Sequence, residues 1–87
     1  MKESYIEQAV TRFAKQAGWL SMKFVSPNNC GVPDHVYFKN GETILIEFKA
    51  KKGRLSPLQK AQIKRLRMVG MKVYVVDSIE QGRMIFA

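Results

Sequence analysis

Cysteine and histidine each occur only once in this chain of 87 residues, as Cys30 and His35. A single cysteine cannot form an internal disulfide, and one cysteine with one histidine cannot supply the usual ligands of a zinc cluster. Any metal ion bound here would have to be held by oxygen atoms. The sequence also lacks a long apolar run, which argues against a signal peptide or a membrane span. We therefore expect a cytoplasmic protein without a membrane partner.

Acidic residues are scarce as well. Seven Asp and Glu stand against 15 Lys and Arg, so the formal net charge is +8. This balance attracts polyanions, and nucleic acid is the leading candidate, although chaperone-like and membrane-surface proteins share it. Hydrophobic residues, in contrast, make up 46% of the chain and are spread over its whole length. The length suffices for one modest core, so we expect a single domain over residues 1–87.

The spacing of apolar residues predicts the order helix-strand-strand-strand-helix-strand. We place these elements at residues 3–17, 19–25, 35–38, 42–49, 57–69 and 72–77. Asn40-Gly41 is typical of a hairpin between antiparallel strands, and Ser56-Pro57 is typical of a helix N-terminus. The second helix acts as a crossover, which makes the last strand parallel to a neighbour. Residues 78–87 fit either a short capped helix or an edge strand. The order predicts an α/β fold with a mixed central sheet flanked by helices.

A carboxylate and a lysine lie two residues apart at the end of an apolar strand, so Glu47 and Lys49 leave the same face of the sheet. Alone, this pair is readily interpreted as a salt bridge at a strand edge. Asp34 changes the interpretation, because the hairpin places it beside Glu47. Converging carboxylates need a shared proton or a cation, and Mg²⁺ or Mn²⁺ prefers such oxygen ligands. With Lys49 nearby, the groups that phosphodiester hydrolysis needs would be assembled.

The first helix offers a third carboxylate. Glu7 lies beside Val10 and Ala14 at the border of the apolar face, where it can look along the sheet rather than into water. The alternatives are that Glu7 is an ordinary solvated charge, or that Glu3, one turn earlier on the same face, takes this place.

The second helix has polar residues on its predicted inward face. We expect that face to consist of Leu58, Ile63, Leu66 and Val69 together with Gln59 and Gln62. Buried amides need hydrogen-bond partners. Gln59, in the first turn, is the better placed of the two to contact a metal ligand or the attacking water. For Gln62, packing by its stem with the amide at the rim is an equally good interpretation.

These residues together look like the VRR-NUC family of the PD-(D/E)xK nuclease superfamily, especially its minimal stand-alone members from bacteriophages. The resemblance rests on Gly31-x-Pro33-Asp34, Glu47-x-Lys49, Gly53-Arg54-Leu55-Ser56 and Gln59, and it covers nearly the whole chain. It implies a restriction-endonuclease-like fold with an αβββαβ core. It also implies Glu7, Asp34 and Glu47 as metal ligands, completed by the backbone carbonyl of Phe48. Asp34, Glu47, Lys49 and Gln59 would form the catalytic set.

The function implied by the resemblance is Mg²⁺- or Mn²⁺-dependent DNA cleavage, with branched DNA as partner and no small-molecule substrate. Stand-alone phage-type members resemble Holliday-junction resolvases, which act as homodimers on four-way junctions; a phage-encoded member would act in the host cytoplasm. A domain with one site needs a second copy for paired cuts. The alternatives are a flap- or nick-directed nuclease of the same family, or a basic nucleic-acid-binding module without catalysis.

Four basic residues are candidates for DNA binding. Lys51, Lys52 and Arg54 directly follow the Glu47 strand, and Lys23 lies on a strand face that can look into the same cleft. For any single lysine, a solvated charge is the simpler explanation. We assign no role to His35, because alternation along a strand should turn it away from Asp34. Met84-Ile85-Phe86 is a candidate dimer surface because it is hydrophobic and close to the C-terminus.

Overall fold

The computed structural model describes residues 1–87 and contains three helices and four strands. They are α1 Glu3–Gln16, β1 Leu20–Lys23, β2 His35–Lys39, β3 Glu42–Phe48, α2 Pro57–Met68, β4 Lys72–Val76 and α3 Ile79–Phe86. The predicted order is confirmed, and the C-terminal segment is a helix. Ser78 caps it by accepting a hydrogen bond from the backbone N–H of Gln81 over 3.2 Å. No helix is long and apolar enough to cross a membrane.

The four strands form one mixed sheet in the order β1-β2-β3-β4, antiparallel except for the parallel pair β3–β4. The predicted hairpin is confirmed: Lys39 pairs with Glu42 across a two-residue turn of Asn40 and Gly41. Both turn residues have positive φ, 50° and 80°, as a tight turn matched to strand twist requires. The predicted parallel strand is also confirmed, because α2 carries the chain across the sheet from β3 to β4.

A core lies on each side of the sheet. Helices α1 and α3 cover one face, where Ile6 and Val10 pack against Tyr37, Ile46 and other buried residues. Gly82 of α3 lies so close to α1 that a Cβ there would be 2.3 Å from Val10 Cγ2. Helix α2 covers part of the other face, with Ile63 packed on Val36, Leu45 and Val73. The strand alternation seen in the sequence thus separates the two cores.

The inward face predicted for α2 is partly wrong. Ile63 is buried and Leu66 packs against its cluster, but Leu58 and Val69 are 49% and 76% exposed. Leu58, in the first turn, lies beside Gly31 of the loop before β2 rather than over the sheet core, and Val69 is already the C-cap of the helix. Gln62, in the middle turn, is buried.

The prediction that Met84-Ile85-Phe86 forms an apolar surface is also wrong. Phe86 is 5% exposed, and its ring packs against Trp19 and Tyr37 with centroid distances of 5.2 and 4.8 Å. Of the three residues, only Met84 is largely exposed, at 78%. The exposed apolar surface lies instead on the edge of the sheet, where Leu20 and Met22 of β1 and Phe38 of β2 are 54%, 52% and 37% exposed. These three side chains share the sheet face of α2, and α2 does not reach them.

Candidate functional site

Asp34 and Glu47 lie on neighbouring strands at the same end of the sheet. His35 pairs with Ile46, so continuing the antiparallel register by one residue sets Asp34 opposite Glu47. The backbone N–H of Phe24 donates a hydrogen bond to the carbonyl of Asp34 over 2.8 Å, which extends the β1–β2 pairing to this position. Asp34 itself is exposed, with 56% of its side chain accessible. The antiparallel hairpin thus brings together two acids that are far apart in sequence.

The loop before Asp34 is held against the first turn of α2. Gly31 has φ +83°, and a Cβ there would lie 2.9 Å from Leu58 Cγ and 3.1 Å from the Leu58 carbonyl carbon. A side chain at this position would therefore clash as well as strain the backbone. Pro33 is fully buried at the end of the same loop. The close approach to Leu58 at Gly31 and the burial of Pro33 explain why glycine and proline precede the aspartate in the motif.

Glu47 and Lys49 are both half-buried, and they do not form the salt bridge that the simpler interpretation of the sequence predicts. No side-chain hydrogen bond or ion pair reaches the Glu47 carboxylate. Burial raises the pKa of Glu47 above its usual 4.5, Lys49 opposes this shift, and the negative charges of Asp34 and Glu3 add to it. The Glu47 carboxylate therefore has no ion-pair partner in the protein, and the neighbouring Lys49 ammonium group is also unpaired.

The third predicted acid, Glu7, contacts a histidine. Glu7 Oε1 lies 2.8 Å from His35 Nε2, and His35 Nδ1 lies 2.6 Å from Asp34 Oδ1. The imidazole is buried between the two carboxylates, with its edge against the Phe48 ring at a centroid distance of 5.0 Å. Neither contact has the geometry of a well-formed hydrogen bond. Lys23 Nζ lies 3.9 Å from Glu7 Oε1 and is mostly exposed.

Of the two glutamates on α1, Glu7 contacts His35. Glu3 is exposed and acts on Glu47 through its charge alone. Glu7 and His35 stand on the α1 side of the sheet, whereas Glu47 and Lys49 leave the opposite side. The candidate site therefore wraps around the sheet end, where Asp34 lies between the two groups.

The glutamine on α2 is used first for helix capping. The Gln59 backbone N–H donates to Ser56 Oγ over 3.1 Å, and Gln59 Oε1 accepts from the Ser56 backbone N–H over 2.9 Å. This is a complete capping box. The amide Nε2 of Gln59 has no protein partner and is the part of the side chain that can act on another group.

Gln62 does more than pack by its stem, because its amide ties α2 to the loop before β2. Its Nε2 donates to the carbonyl of Cys30 over 3.1 Å, and its Oε1 accepts from Arg65 over 3.2 Å. Gln62 is thus a structural support of the segment that carries Asp34.

His35 is the functional candidate that the sequence reasoning missed. The expectation that it turns away from Asp34 is wrong: Asp34 precedes the first residue of β2, and its exposed side chain turns back at this strand end until Oδ1 lies 2.6 Å from His35 Nδ1. The signal was available: β2 starts with the one histidine of the chain, directly after the motif aspartate.

The donor set at the sheet end suits a hard divalent cation. Its carboxylates supply oxygen ligands, and Glu47 lacks a protein partner for its charge. The side chains do not form a closed ligand cluster, since no three His, Cys, Asp or Glu groups converge at metal-binding distances. The His35 ring contacts Glu7 Oε1 and Asp34 Oδ1, and the second carboxylate oxygen of each acid has no protein partner. The residues fit a metal ion chemically, because these second oxygens are available as ligands.

Two surface grooves lie near these elements. The larger, of about 420 Å³, runs along α2 between Leu55 and Met68 and includes none of the candidate acids. The other, of about 340 Å³, opens at Glu7 and follows α1 past Gln8, Thr11, Arg12 and Lys15. This second groove begins at the candidate site, and its lining is entirely polar. Lys51, Lys52 and Arg54 are exposed just beyond the end of β3.

Comparison with known proteins identifies the family of this chain. The VRR-NUC domain family matches residues 2–80. A phage protein named "Putative nuclease p44", from Acyrthosiphon pisum secondary endosymbiont phage 1, is 37% identical over 79 residues, which are 90% of this chain and 85% of that protein. A solved structure described as a VRR_NUC domain superposes with a TM-score of 0.88 at 24% identity, over 98% of this chain and 94% of the other. This last likeness concerns the fold. The chain belongs to the VRR-NUC family of nuclease domains.

Proposed function

We propose that this protein is a Mg²⁺- or Mn²⁺-dependent endonuclease that hydrolyses the phosphodiester backbone of DNA, with Glu7, Asp34, Glu47 and the Phe48 carbonyl as metal ligands. The observation that carries the proposal is the placement of Asp34 opposite Glu47, on adjacent strands, with Lys49 on the same face as Glu47. The raised pKa of Glu47 supports it, because burial and the neighbouring Asp34 leave this carboxylate in need of a cation.

Each residue has a defined task in this proposal. A divalent ion held by the carboxylates would supply a Lewis acid and lower the pKa of a water molecule. Lys49 has no acidic partner, so its ammonium group is available to stabilise the negative charge that develops on the attacked phosphate. Gln59, whose oxygen is held by Ser56, keeps its N–H donors for the water or for a ligand carboxylate. Asp34, at the exposed end of its loop, is the ligand that the substrate can approach.

Positive charge on both sides of the candidate site supports DNA as the substrate. The polar groove that opens at Glu7 presents Arg12 and Lys15, and Lys51, Lys52 and Arg54 lie beyond the other side of the sheet end. We assign the second group, together with Lys23, to phosphate contacts on either side of the cleaved bond. With a net charge of +8, binding should weaken steeply as salt is added.

We further propose a homodimer that acts on four-way junctions. A chain with one site must pair with a second copy to make two opposed cuts. Two features support a second copy at β1: the outer edge of this strand is unpaired, and Leu20 and Met22 expose an apolar strip next to Phe38. Pairing of two β1 edges would cover both features. The mass in solution should then be twice that of the 10.0 kDa chain, and Met22→Lys should return it to the monomer value.

The decisive experiment is a cleavage assay with labelled linear duplex, flap and four-way-junction DNA, each in Mg²⁺, in Mn²⁺ and in EDTA. Cleavage is expected only with a divalent ion, and preferentially of the junction. Asp34→Asn, Glu47→Gln and Lys49→Met should each abolish it while DNA affinity in EDTA persists.

The matched controls are Glu42→Gln and Lys72→Met, which alter a carboxylate and a lysine at the opposite end of the same sheet. They should cleave like the wild type. Tight DNA binding without metal-dependent hydrolysis would identify a binding module instead, and preferential cleavage of the flap would replace the junction assignment.

A further inference from the structure

We propose that His35 is a positioning residue, which holds the carboxylates of Glu7 and Asp34 in place to receive the divalent cation. This inference rests on the proposed function. His35 is not one of the residues on which the family resemblance rests.

The geometry is that of a bridge. Glu7 comes from α1 and Asp34 from the loop before β2, and a single imidazole ring touches both, through Nε2 at 2.8 Å and through Nδ1 at 2.6 Å. The two ring nitrogens lie on different edges of the ring, so one side chain can engage two carboxylates at once. No other side chain contacts both acids.

The ring itself is held rigidly. His35 is 6% exposed, on the first residue of β2, and its backbone is paired with Lys23 on one side and Ile46 on the other. The Phe48 ring meets it at an interplanar angle of 88°. A side chain fixed in this way can impose its position on two acids that are otherwise more mobile, since 24% of the Glu7 side chain and 56% of the Asp34 side chain are exposed.

Stability alone does not explain a histidine at this place. On β3 its neighbours on the same sheet face are Ile46 and Phe48 of the α1 core, on β1 it pairs with the mostly exposed Lys23, and both ring nitrogens are buried without a well-aligned hydrogen bond. A buried polar group in that state is costly, and an apolar residue would fill the site at lower cost. Such a group calls for a functional reason. The two carboxylates on either side of it supply one, because groups that orient metal ligands contribute to metal affinity almost as the ligands do.

Metal binding to the DNA-free protein tests this directly. We would titrate Mn²⁺ and follow the free ion by electron paramagnetic resonance, for the wild type and for His35→Leu and His35→Phe, two apolar variants of different shape. Loss of an orienting group typically weakens metal affinity by about 10–100-fold, and we expect this for both variants. Their thermal stability should equal or exceed that of the wild type in EDTA, because a poorly satisfied polar group has been removed.

Two further variants separate positioning from packing. His35→Gln sets an amide near the place of Nε2, toward Glu7, and His35→Asn sets one near the place of Nδ1, toward Asp34. Each should recover part of the lost Mn²⁺ affinity, a result that packing alone would not produce. The matched control is Tyr37→Phe: Tyr37 is the next residue on the same strand face and contacts Thr11 Oγ1 of α1 through its hydroxyl over 2.8 Å. It ties β2 to α1 without touching an acid, so its loss should leave the Mn²⁺ affinity unchanged.

The possible failures are distinct. If the wild type binds Mn²⁺ and both apolar variants bind it within twofold, the positioning role is overturned and the nuclease proposal stands. If Tyr37→Phe weakens binding as much as His35→Leu, the effect belongs to the strand-helix contact and the role is again overturned. If the wild type neither binds Mn²⁺ nor cleaves DNA, the metal site and the inference fall together.

Discussion

The side-chain amide of Gln62 donates a hydrogen bond to the backbone carbonyl of Cys30 over 3.1 Å. This contact joins the middle of α2 to the loop that carries Asp34, and Gly31 packs against Leu58 beside it. The position of one metal-ligand candidate therefore depends on a helix that contributes no acid of its own.

Gln62→Leu should loosen the Asp34 loop without unfolding the protein. Leucine can fill the buried site, and water can reach the exposed Cys30, so the stability loss should be about 1 kcal/mol or less. Amide hydrogen exchange at residues 26–33 should accelerate, and the cleavage rate should fall. Arg65→Gln, which alters only the other partner of Gln62, is the control. Unchanged exchange in Gln62→Leu would mean that the loop is held by packing alone.

The raised pKa of Glu47 predicts a pH-dependent stability. Ionisation of this half-buried acid is disfavoured in the folded state, so its favourable contribution is present below pH 4.5 and is lost as the pH rises through the raised pKa. In EDTA at neutral pH, Glu47→Gln should therefore have a higher melting temperature than the wild type. The difference should close on acidification below pH 4.5.

Addition of Mn²⁺ should reverse this order, because the ion binds the folded wild type and loses a ligand in the variant. Melting curves from pH 4 to pH 8, with EDTA and with Mn²⁺, test both statements. A wild type that is the more stable protein in EDTA at neutral pH would show that Glu47 is already satisfied by the protein.

Gln59→Glu should separate helix capping from catalysis. A glutamate keeps the capping box with Ser56, and its charge is favourable at a helix N-terminus by about 0.3–1 kcal/mol. Stability should be equal or higher, but the N–H donors are gone and cleavage should drop. Gln59→Ala also loses the hydrogen bond from the Ser56 backbone N–H, while the bond to Ser56 Oγ remains, and this should cost about 0.5–1.5 kcal/mol. Thermal unfolding and initial cleavage rates check the pair. Full activity in Gln59→Glu would limit Gln59 to capping.

The basic turn after β3 should account for part of the salt dependence of DNA binding. Each phosphate contact contributes about 0.9 to the slope of log affinity against log salt. Replacing Lys51, Lys52 and Arg54 together by Ala should lower the slope by about two to three. Fluorescence anisotropy in EDTA, over a series of NaCl concentrations, measures it without cleavage. Lys72→Ala, at the far end of the sheet, should leave the slope unchanged. An equal change of slope for each charge removed in the two variants would indicate unspecific attraction.

Local signals in the sequence were sufficient for most of the fold. Asn40-Gly41 produces a tight hairpin because both residues tolerate positive φ. Ser56-Pro57 begins a helix because the Ser56 side chain accepts a hydrogen bond from a backbone N–H of the first turn, and Pro57 has no N–H that needs a partner. The hairpin in turn aligns Asp34 with Glu47, so the centre of the candidate site could be inferred as well. These features depend on residues within a few positions of one another, or on one antiparallel register.

Tertiary structure decided what depends on neighbours distant in sequence. Leu58 and Val69 are exposed because α2 covers only part of the sheet. The helical periodicity of the sequence does not show how much of the sheet a helix covers. Burial of Phe86 followed from the docking of α3 on α1. The histidine between Glu7 and Asp34 is the clearest case: Asp34 precedes it in the chain, but Glu7 comes from α1, and only the packing of α1 on the sheet brought Glu7 to the ring. The sequence by itself determined which elements form and which acids share an edge, because backbone propensity and strand alternation are local. The contacts that tune those acids are long-range, and the assembled sheet and helices alone determine them.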